Sequence, residues 1–77
     1  MYEKKLFLNN IKAIKDFSAV INSCKADCVL LAEDHKYIVD AKSIMGIFSL
    51  DLSRPVVLRS ADNIDKETEN KIAKYFI

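Results

Sequence analysis

The segment Asp40-Ala41-Lys42-Ser43-Ile44-Met45-Gly46-Ile47-Phe48-Ser49-Leu50-Asp51-Leu52 is the part of the chain that generic core packing explains least. Ser43 precedes an apolar run, which is typical of a helix N-cap, because the hydroxyl can accept a hydrogen bond from a backbone N–H two or three residues later. Six of the nine residues 44–52 are large and apolar. Since so short a helix cannot bury them all, the segment predicts a capped helix beside an apolar docking surface.

Upstream of this segment, the spacing of apolar residues predicts a strand and then a helix. Residues 2–8 place Leu6 and Leu8 on one face, which is the period of two of a strand. A helix is predicted from residue 11 to about residue 25, where apolar residues recur at three- and four-residue spacing. Its buried stripe is predicted to contain Ile14, Phe17, Ile21 and Cys24, and its polar face Lys15, Ser18 and Asn22.

The remaining elements complete a β-α-β-β-α-β-α order. Residues 28–32 and 37–39 predict a hairpin around the polar turn 33–36, and Pro55 opens a strand over residues 56–60. A last helix is predicted over residues 65–76, with acidic residues early and lysines late. Its buried stripe is predicted to contain Ile64, Ile72 and Phe76, with Ala73 beside it. This order predicts an α+β fold, a four-stranded antiparallel sheet covered on one face by three helices.

Composition narrows the class of protein. The 77 residues carry 12 basic and 11 acidic side chains, for a net charge of +1, which does not favour direct nucleic-acid binding or a membrane surface. No apolar run is long enough to span a bilayer and the first residues lack a signal peptide, so we expect a cytoplasmic protein with one domain over residues 1–77. The spacing of Cys24 and Cys28 predicts reduced, buried thiols, with no metal and no cofactor.

The run Lys42-Ser43-Ile44-Met45-Gly46, followed by Ser49-Leu50, is similar to the regulatory-serine segment of HPr, the small phosphocarrier of the bacterial sugar phosphotransferase system. The resemblance covers most of the chain and implies an open-faced β-sandwich. It also implies that a serine kinase phosphorylates Ser43 and that Ile44, Met45 and Phe48 contact partner proteins. Ile47 and Leu50 are assigned to the core. The alternative for Ser43 is a plain N-cap, worth about 1 kcal/mol against alanine.

The chain departs from HPr where the carrier histidine is expected. The family has a Gly-Ile-His-Ala-Arg-Pro type motif before the first helix, and the matching residues here are Asn10-Ile11-Lys12-Ala13-Ile14-Lys15. Aligning Ile11 and Ala13 puts Lys12 at the histidine position, whereas an alignment without a gap puts Asn10 there. Neither side chain can replace imidazole as a reversible phosphoryl carrier at neutral pH. We therefore expect no carrier activity and no catalytic residue, in a protein that is not an enzyme.

The single histidine, His35, falls in the predicted hairpin turn. As a displaced phosphoryl acceptor it would need an arginine or a helix N-terminus beside it, and nothing in the sequence places one there. We therefore interpret His35 as a solvated turn residue. Lys12, Lys15, Arg54 and Arg59 are likewise interpreted as ordinary solvated side chains.

Three functions remain open from the sequence. The first is a non-catalytic HPr relative, expected to be monomeric, that binds phosphotransferase-system or transcriptional regulatory proteins, with regulation by phosphorylation of Ser43. The second is a phosphoryl-transfer component with a non-standard acceptor. The third is an HPr fold reused as a structural interaction module.

Overall fold

Four strands form one sheet, and three helices cover one of its faces. The structure is a computed structural model that describes residues 1–77. The strands are β1 (Tyr2–Leu6), β2 (Cys28–Ala32), β3 (Ile38–Asp40) and β4 (Val56–Ser60), and the helices are α1 (Ile11–Asn22), α2 (Ile44–Phe48) and α3 (Lys66–Ile72). The strands lie in the order β1-β4-β2-β3, and each neighbouring pair is antiparallel. The predicted element order and α+β class are confirmed.

The hydrophobic core lies between the sheet and its helices. Leu30 of β2 and Leu58 of β4 are direct partners in the register, and neither is exposed to solvent. They share one buried cluster with Phe17 and Ile21 of α1 and with Ile72 of α3. Because burying a side chain of this size contributes about 1.5–3 kcal/mol, this cluster is what holds α1 and α3 on the sheet.

Helix α1 follows its predicted stripe, with two corrections. All four residues of that stripe are buried. Ser18, however, was assigned to the polar face and is buried, so that assignment is wrong. The Nδ2 atom of Asn22 donates to the carbonyls of Ser18 at 2.8 Å and of Lys42 at 3.2 Å, so the segment before α2 lies against this flank of α1. The helix also ends at Asn22, earlier than predicted, where the Ser23 hydroxyl folds back onto the carbonyl of Val20 at 2.7 Å.

The C-terminal residues differ most from the prediction. Helix α3 ends at Ile72 and is followed by a 3₁₀ turn, Ala73–Tyr75, so the continuous helix predicted to residue 76 is wrong. The tighter turn lets Phe76 form an antiparallel β-bridge with Leu6, the last residue of β1. Ala73 is exposed, whereas Thr68, which was not predicted to be buried, takes a place on the inner face beside Ile64 and Ile72.

Two strand boundaries also shift. Strand β1 ends at Leu6, because the next backbone N–H, that of Phe7, donates to the carbonyl of Tyr75 at 2.9 Å. Strand β3 begins at Ile38, one residue later than predicted, while the carbonyl of Tyr37 accepts from the backbone N–H of Ala32 at 2.9 Å. None of the helices has the length and hydrophobicity to cross a membrane.

Candidate partner-binding site

Ser43 is the N-cap of α2. Its backbone is extended, with φ −98° and ψ 110°, and its Oγ accepts a hydrogen bond from the backbone N–H of Gly46 at 3.1 Å. The preceding residue, Lys42, is held by two hydrogen bonds. The backbone N–H of Lys42 donates to the Asp40 carboxylate at 2.9 Å, and its Nζ donates to the carbonyl of Cys24 at 2.7 Å. The predicted cap is confirmed, and its position is held against the end of α1.

The outward side of α2 is apolar. Met45 is 77% exposed, Phe48 46% and Ile44 37%, whereas Ile47 and Leu50 are buried in the core. We call the three exposed residues the α2 surface. The predicted division between core and surface is therefore present, and the exposed residues directly follow the capping serine. Their proposed contact with partners remains a prediction.

Gly46 allows α2 to lie close to the sheet. A Cβ atom added at this position would lie 3.1 Å from the Cβ of Val39 and 3.4 Å from both the Cβ and the Oγ of Ser43. Contacts at 3.1 Å require one of the two neighbours to move. The glycine therefore serves close packing, and its N–H is also the donor that Ser43 requires.

We expect Ser43→Ala to destabilise the protein by about 1 kcal/mol, because it removes the only side-chain cap of α2. Ser43→Asp should lose less stability than Ser43→Ala, since aspartate is also a favourable N-cap. Thermal unfolding followed by circular dichroism would measure both. A drop of about 4–8 °C in melting temperature is expected for the alanine variant, from the entropy of unfolding of a domain of this size. Equal melting temperatures for Ser43→Ala and the unchanged protein would contradict the role of this cap.

At the start of α1 the two candidates for the histidine position have different surroundings. The Oδ1 atom of Asn10 accepts from the backbone N–H of Ala13 at 2.8 Å, so Asn10 is the N-cap of α1. Lys12 is exposed in the first turn. Both line an open cavity of about 350 Å³, together with Ala13, Asp16, Lys74 and Tyr75. Which of the two stands at the family's histidine position remains a prediction.

The acid in this cavity is already paired. Asp16 accepts from the Tyr75 hydroxyl at 2.6 Å and lies 3.3 Å from the Nζ of Lys74. The hydrogen bond from Tyr75 is the main cause that lowers the pKa of Asp16, and the ammonium of Lys74 lowers it further. Partial burial and the bond to Asp16 raise the pKa of Tyr75 to about 12. Asp16 is therefore a stable anion at neutral pH and makes no general acid.

His35 lies exposed in the β2–β3 turn, as interpreted from the sequence, but the structure also places an arginine beside it, which the sequence did not indicate. The Nη2 atom of Arg59 is 3.4 Å from the Nδ1 atom of His35, and the Nε atom of the same guanidinium donates to Glu3 at 2.8 Å. His35 itself is exposed and has φ 63°, in the left-handed region. These side chains come from β1, β4 and the β2–β3 turn, so their meeting depends on strand register, which no local sequence signal supplies.

Comparison with known proteins supports the architecture. The structure is similar to the crystal structure of HPr-C-His from Thermoanaerobacter tengcongensis, with a TM-score of 0.73 and 25% sequence identity. The match covers 96% of this chain and 89% of the other, so the fold is HPr-like. No family model matches the sequence, and the search of curated proteins also finds no match. No group of three or more His, Cys, Asp and Glu side chains is arranged to hold a metal ion.

Proposed function

We propose that this protein is an HPr-like member of the bacterial phosphoenolpyruvate-dependent sugar phosphotransferase system that regulates by binding partners and transfers no phosphoryl group. The observation that carries the proposal is the position of Ser43, which caps α2 directly beside the exposed α2 surface. A covalent change at this serine alters the charge next to three exposed apolar side chains. The site thus combines a modifiable hydroxyl with a surface for a partner.

Phosphorylation of Ser43 is compatible with the fold. A serine kinase would transfer the γ-phosphoryl group of ATP to Oγ, releasing ADP, while the hydroxyl proton leaves to a base of the kinase. The hydroxyl acts in α2 only as an acceptor, from the N–H of Gly46, so losing this proton costs no hydrogen bond. The phosphate adds about −1.5 to −2 charges beside free backbone N–H groups, where negative charge is favourable. The modified protein would keep α2 and present a different surface.

The predicted lack of a carrier histidine supports the non-catalytic part of the proposal. Asn10 uses its side-chain oxygen as a helix cap, and Lys12 carries an ammonium instead of an imidazole. An ammonium group has no lone pair with which to accept a phosphoryl group. The partners we propose are other phosphotransferase-system proteins or transcriptional regulators, and a serine kinase. Nucleic acid and membrane are not direct partners, and the protein acts as a cytoplasmic monomer.

The test is intact-protein mass after two separate incubations. One uses the enzyme that phosphorylates HPr on histidine, with phosphoenolpyruvate, and the other uses the HPr serine kinase with ATP. We expect one added phosphate in the second incubation only, and none in Ser43→Ala. Ser49→Ala is the matched control, because Ser49 lies at the other end of α2 and its hydroxyl donates to the carbonyl of Gly46 at 2.6 Å. Phosphate retained in Ser43→Ala would refute the assignment.

A second candidate function rests on the contact between His35 and Arg59. Here His35 is a non-standard phosphoryl acceptor: Nδ1 takes the phosphoryl group from the phosphorylated enzyme, whose own histidine leaves, and Arg59 meets the new phosphate. This function predicts an acid-labile phosphate after the incubation with the histidine-directed enzyme and phosphoenolpyruvate. That phosphate should be missing in His35→Ala. Phosphate in neither incubation would favour the third alternative, a structural interaction module.

A further inference from the structure

We propose that the outer edge of β3 pairs with the β3 edge of a second copy of this chain, in an antiparallel contact centred on Ile38. The proposal is independent of the modification of Ser43 and of the α2 surface. It rests on three features of this edge: unpaired backbone groups, an exposed apolar side chain at the centre, and opposite charges at the two ends.

The two edges of the sheet differ in how they are covered. At the β1 edge, the N–H of Phe7 donates to the carbonyl of Tyr75 at 2.9 Å, and the N–H of Ile77 donates to the carbonyl of Lys5 at 3.1 Å. Strand β3 lies at the other end of the strand order and pairs only with β2. Its sequence contains no proline, a residue that often blunts exposed edges. The β3 edge is therefore open to a further strand.

The backbone of Ile38 points away from β2. The carbonyl of Tyr37 accepts from the N–H of Ala32 at 2.9 Å, and the N–H of Ala41 donates to the carbonyl of Cys28 at 3.0 Å. These two bonds turn the odd-numbered residues of this segment toward β2, so alternation turns Ile38 outward. Neither its N–H nor its carbonyl has a hydrogen-bond partner. Two copies of Ile38 placed opposite each other can satisfy both groups with two hydrogen bonds.

The side chains favour this register. Antiparallel pairing centred on Ile38 places each Ile38, 56% exposed, against its copy, and places the exposed Lys36 of one copy opposite the exposed Asp40 of the other. A register centred on Val39 would instead need the carbonyl of Asp40, which already accepts from the N–H of Ser43 at 3.0 Å. It would also set Ile38 against a carboxylate. The edge is thus complementary to itself in one register.

The contact is symmetric and small. Because the same edge is used by both copies, the assembly closes at two chains and forms no filament. Strand β3 has three residues, so the buried area is below the roughly 1,000 Å² that a stable interface needs. The dimer is therefore transient, and the monomer predominates at micromolar concentration.

Sedimentation equilibrium of the full chain, at concentrations from about 20 μM to about 1 mM, tests the proposal. We expect the weight-average mass to rise from that of one chain, 8.8 kDa, toward twice this value. In NMR spectra over the same range, the amide signal of Ile38 should shift with concentration because its N–H becomes bonded. The amide signal of Met45, on the exposed side of α2, should stay constant.

Two variants of the edge should lose the association. Ile38→Pro removes the outward N–H but no hydrogen bond to β2, and should stay a monomer at about 1 mM. Ile38→Val is the matched control, because it keeps the N–H and a β-branched side chain, and should still associate. Lys36→Asp sets two carboxylates opposite each other and should weaken the dimer about tenfold. If circular dichroism shows that Ile38→Pro does not fold, Lys36→Asp decides the question.

The proposal is overturned if the unchanged protein remains a monomer throughout the concentration range. It is also overturned if Ile38→Pro folds and associates as well as the unchanged protein, since another surface then joins the copies. An Ile38 amide that responds only to an added phosphotransferase-system protein would show that the edge takes a strand from that partner, and the second copy would be wrong.

Discussion

Replacing Phe17 with alanine is expected to lower the free energy of unfolding by about 3–5 kcal/mol. Phe17 lies at the centre of the buried face of α1, has no solvent exposure, and shares its cluster with Leu30 and Leu58 of the sheet. The loss combines the transfer free energy of the ring with the cavity that remains. A chain of 77 residues has a total stability of about 4–12 kcal/mol, so this one change removes a large share of it.

Urea unfolding followed by far-UV circular dichroism measures this effect. The matched control is Ile11→Ala, because Ile11 lies on the same helix but is 62% exposed, and a change of no more than about 0.5 kcal/mol is expected there. If Phe17→Ala does not fold, Phe17→Leu can replace it, because leucine keeps most of the side-chain volume. We expect Phe17→Leu to lower the free energy of unfolding by about 1 kcal/mol. Equal losses for the exposed and the buried position would show that α1 is not packed on the sheet as described.

The sequence was informative where structure is determined by neighbours along the chain. The cap at Ser43 and the stripe of α1 depend on spacings of three and four residues, and β4 lies over residues 56–60 as predicted. These features follow from local periodicity and from the chemistry of a hydroxyl beside a free N–H. The division of the segment after Ser43 into buried Ile47 and exposed Met45 follows from the same helical period.

The features that were missed depend on contacts between distant segments. Arg59 meets His35 because β4 lies between β1 and β2, and the strand order cannot be obtained from alternation within a single strand. Ser18 is buried for a similar reason, because the segment before α2 covers that flank of α1. At the C-terminus, apolar residues continue at helical spacing past Ile72, but the chain forms a tighter 3₁₀ turn there, which lets Phe76 pair with Leu6 of β1. In each case tertiary contact overrode a local pattern.

Replacing Met45 with glutamate is expected to weaken binding of a partner by about 10- to 100-fold, which corresponds to about 1.4–2.8 kcal/mol. This prediction depends on the proposed role of the α2 surface. Met45 is the most exposed of its three residues, and a methionine contributes a flexible apolar contact that suits more than one partner. A carboxylate in its place would be buried without a counter-charge when the partner docks, which is costly.

The measurement is isothermal titration calorimetry with the histidine-directed phosphotransferase enzyme, which belongs to the class of partners named in the proposed function. Ile38→Glu is the matched control, because Ile38 is a comparably exposed apolar residue at 56% but lies on β3, across from Leu31 on the side of the sheet away from the helical core. The Ile38→Glu variant should bind the enzyme with unchanged affinity. Met45→Leu should retain binding, since it keeps an apolar side chain of similar size.

The three variants together separate a local surface from a general effect of charge. Met45 is solvated and makes no contribution to the buried cluster, so Met45→Glu should leave the free energy of unfolding within about 0.5 kcal/mol of the unchanged protein. A loss of affinity without a loss of stability therefore places the partner on α2. Equal weakening by Ile38→Glu would mean that added negative charge, and not the α2 surface, controls binding. Unchanged affinity for Met45→Glu would remove this surface from the proposed function.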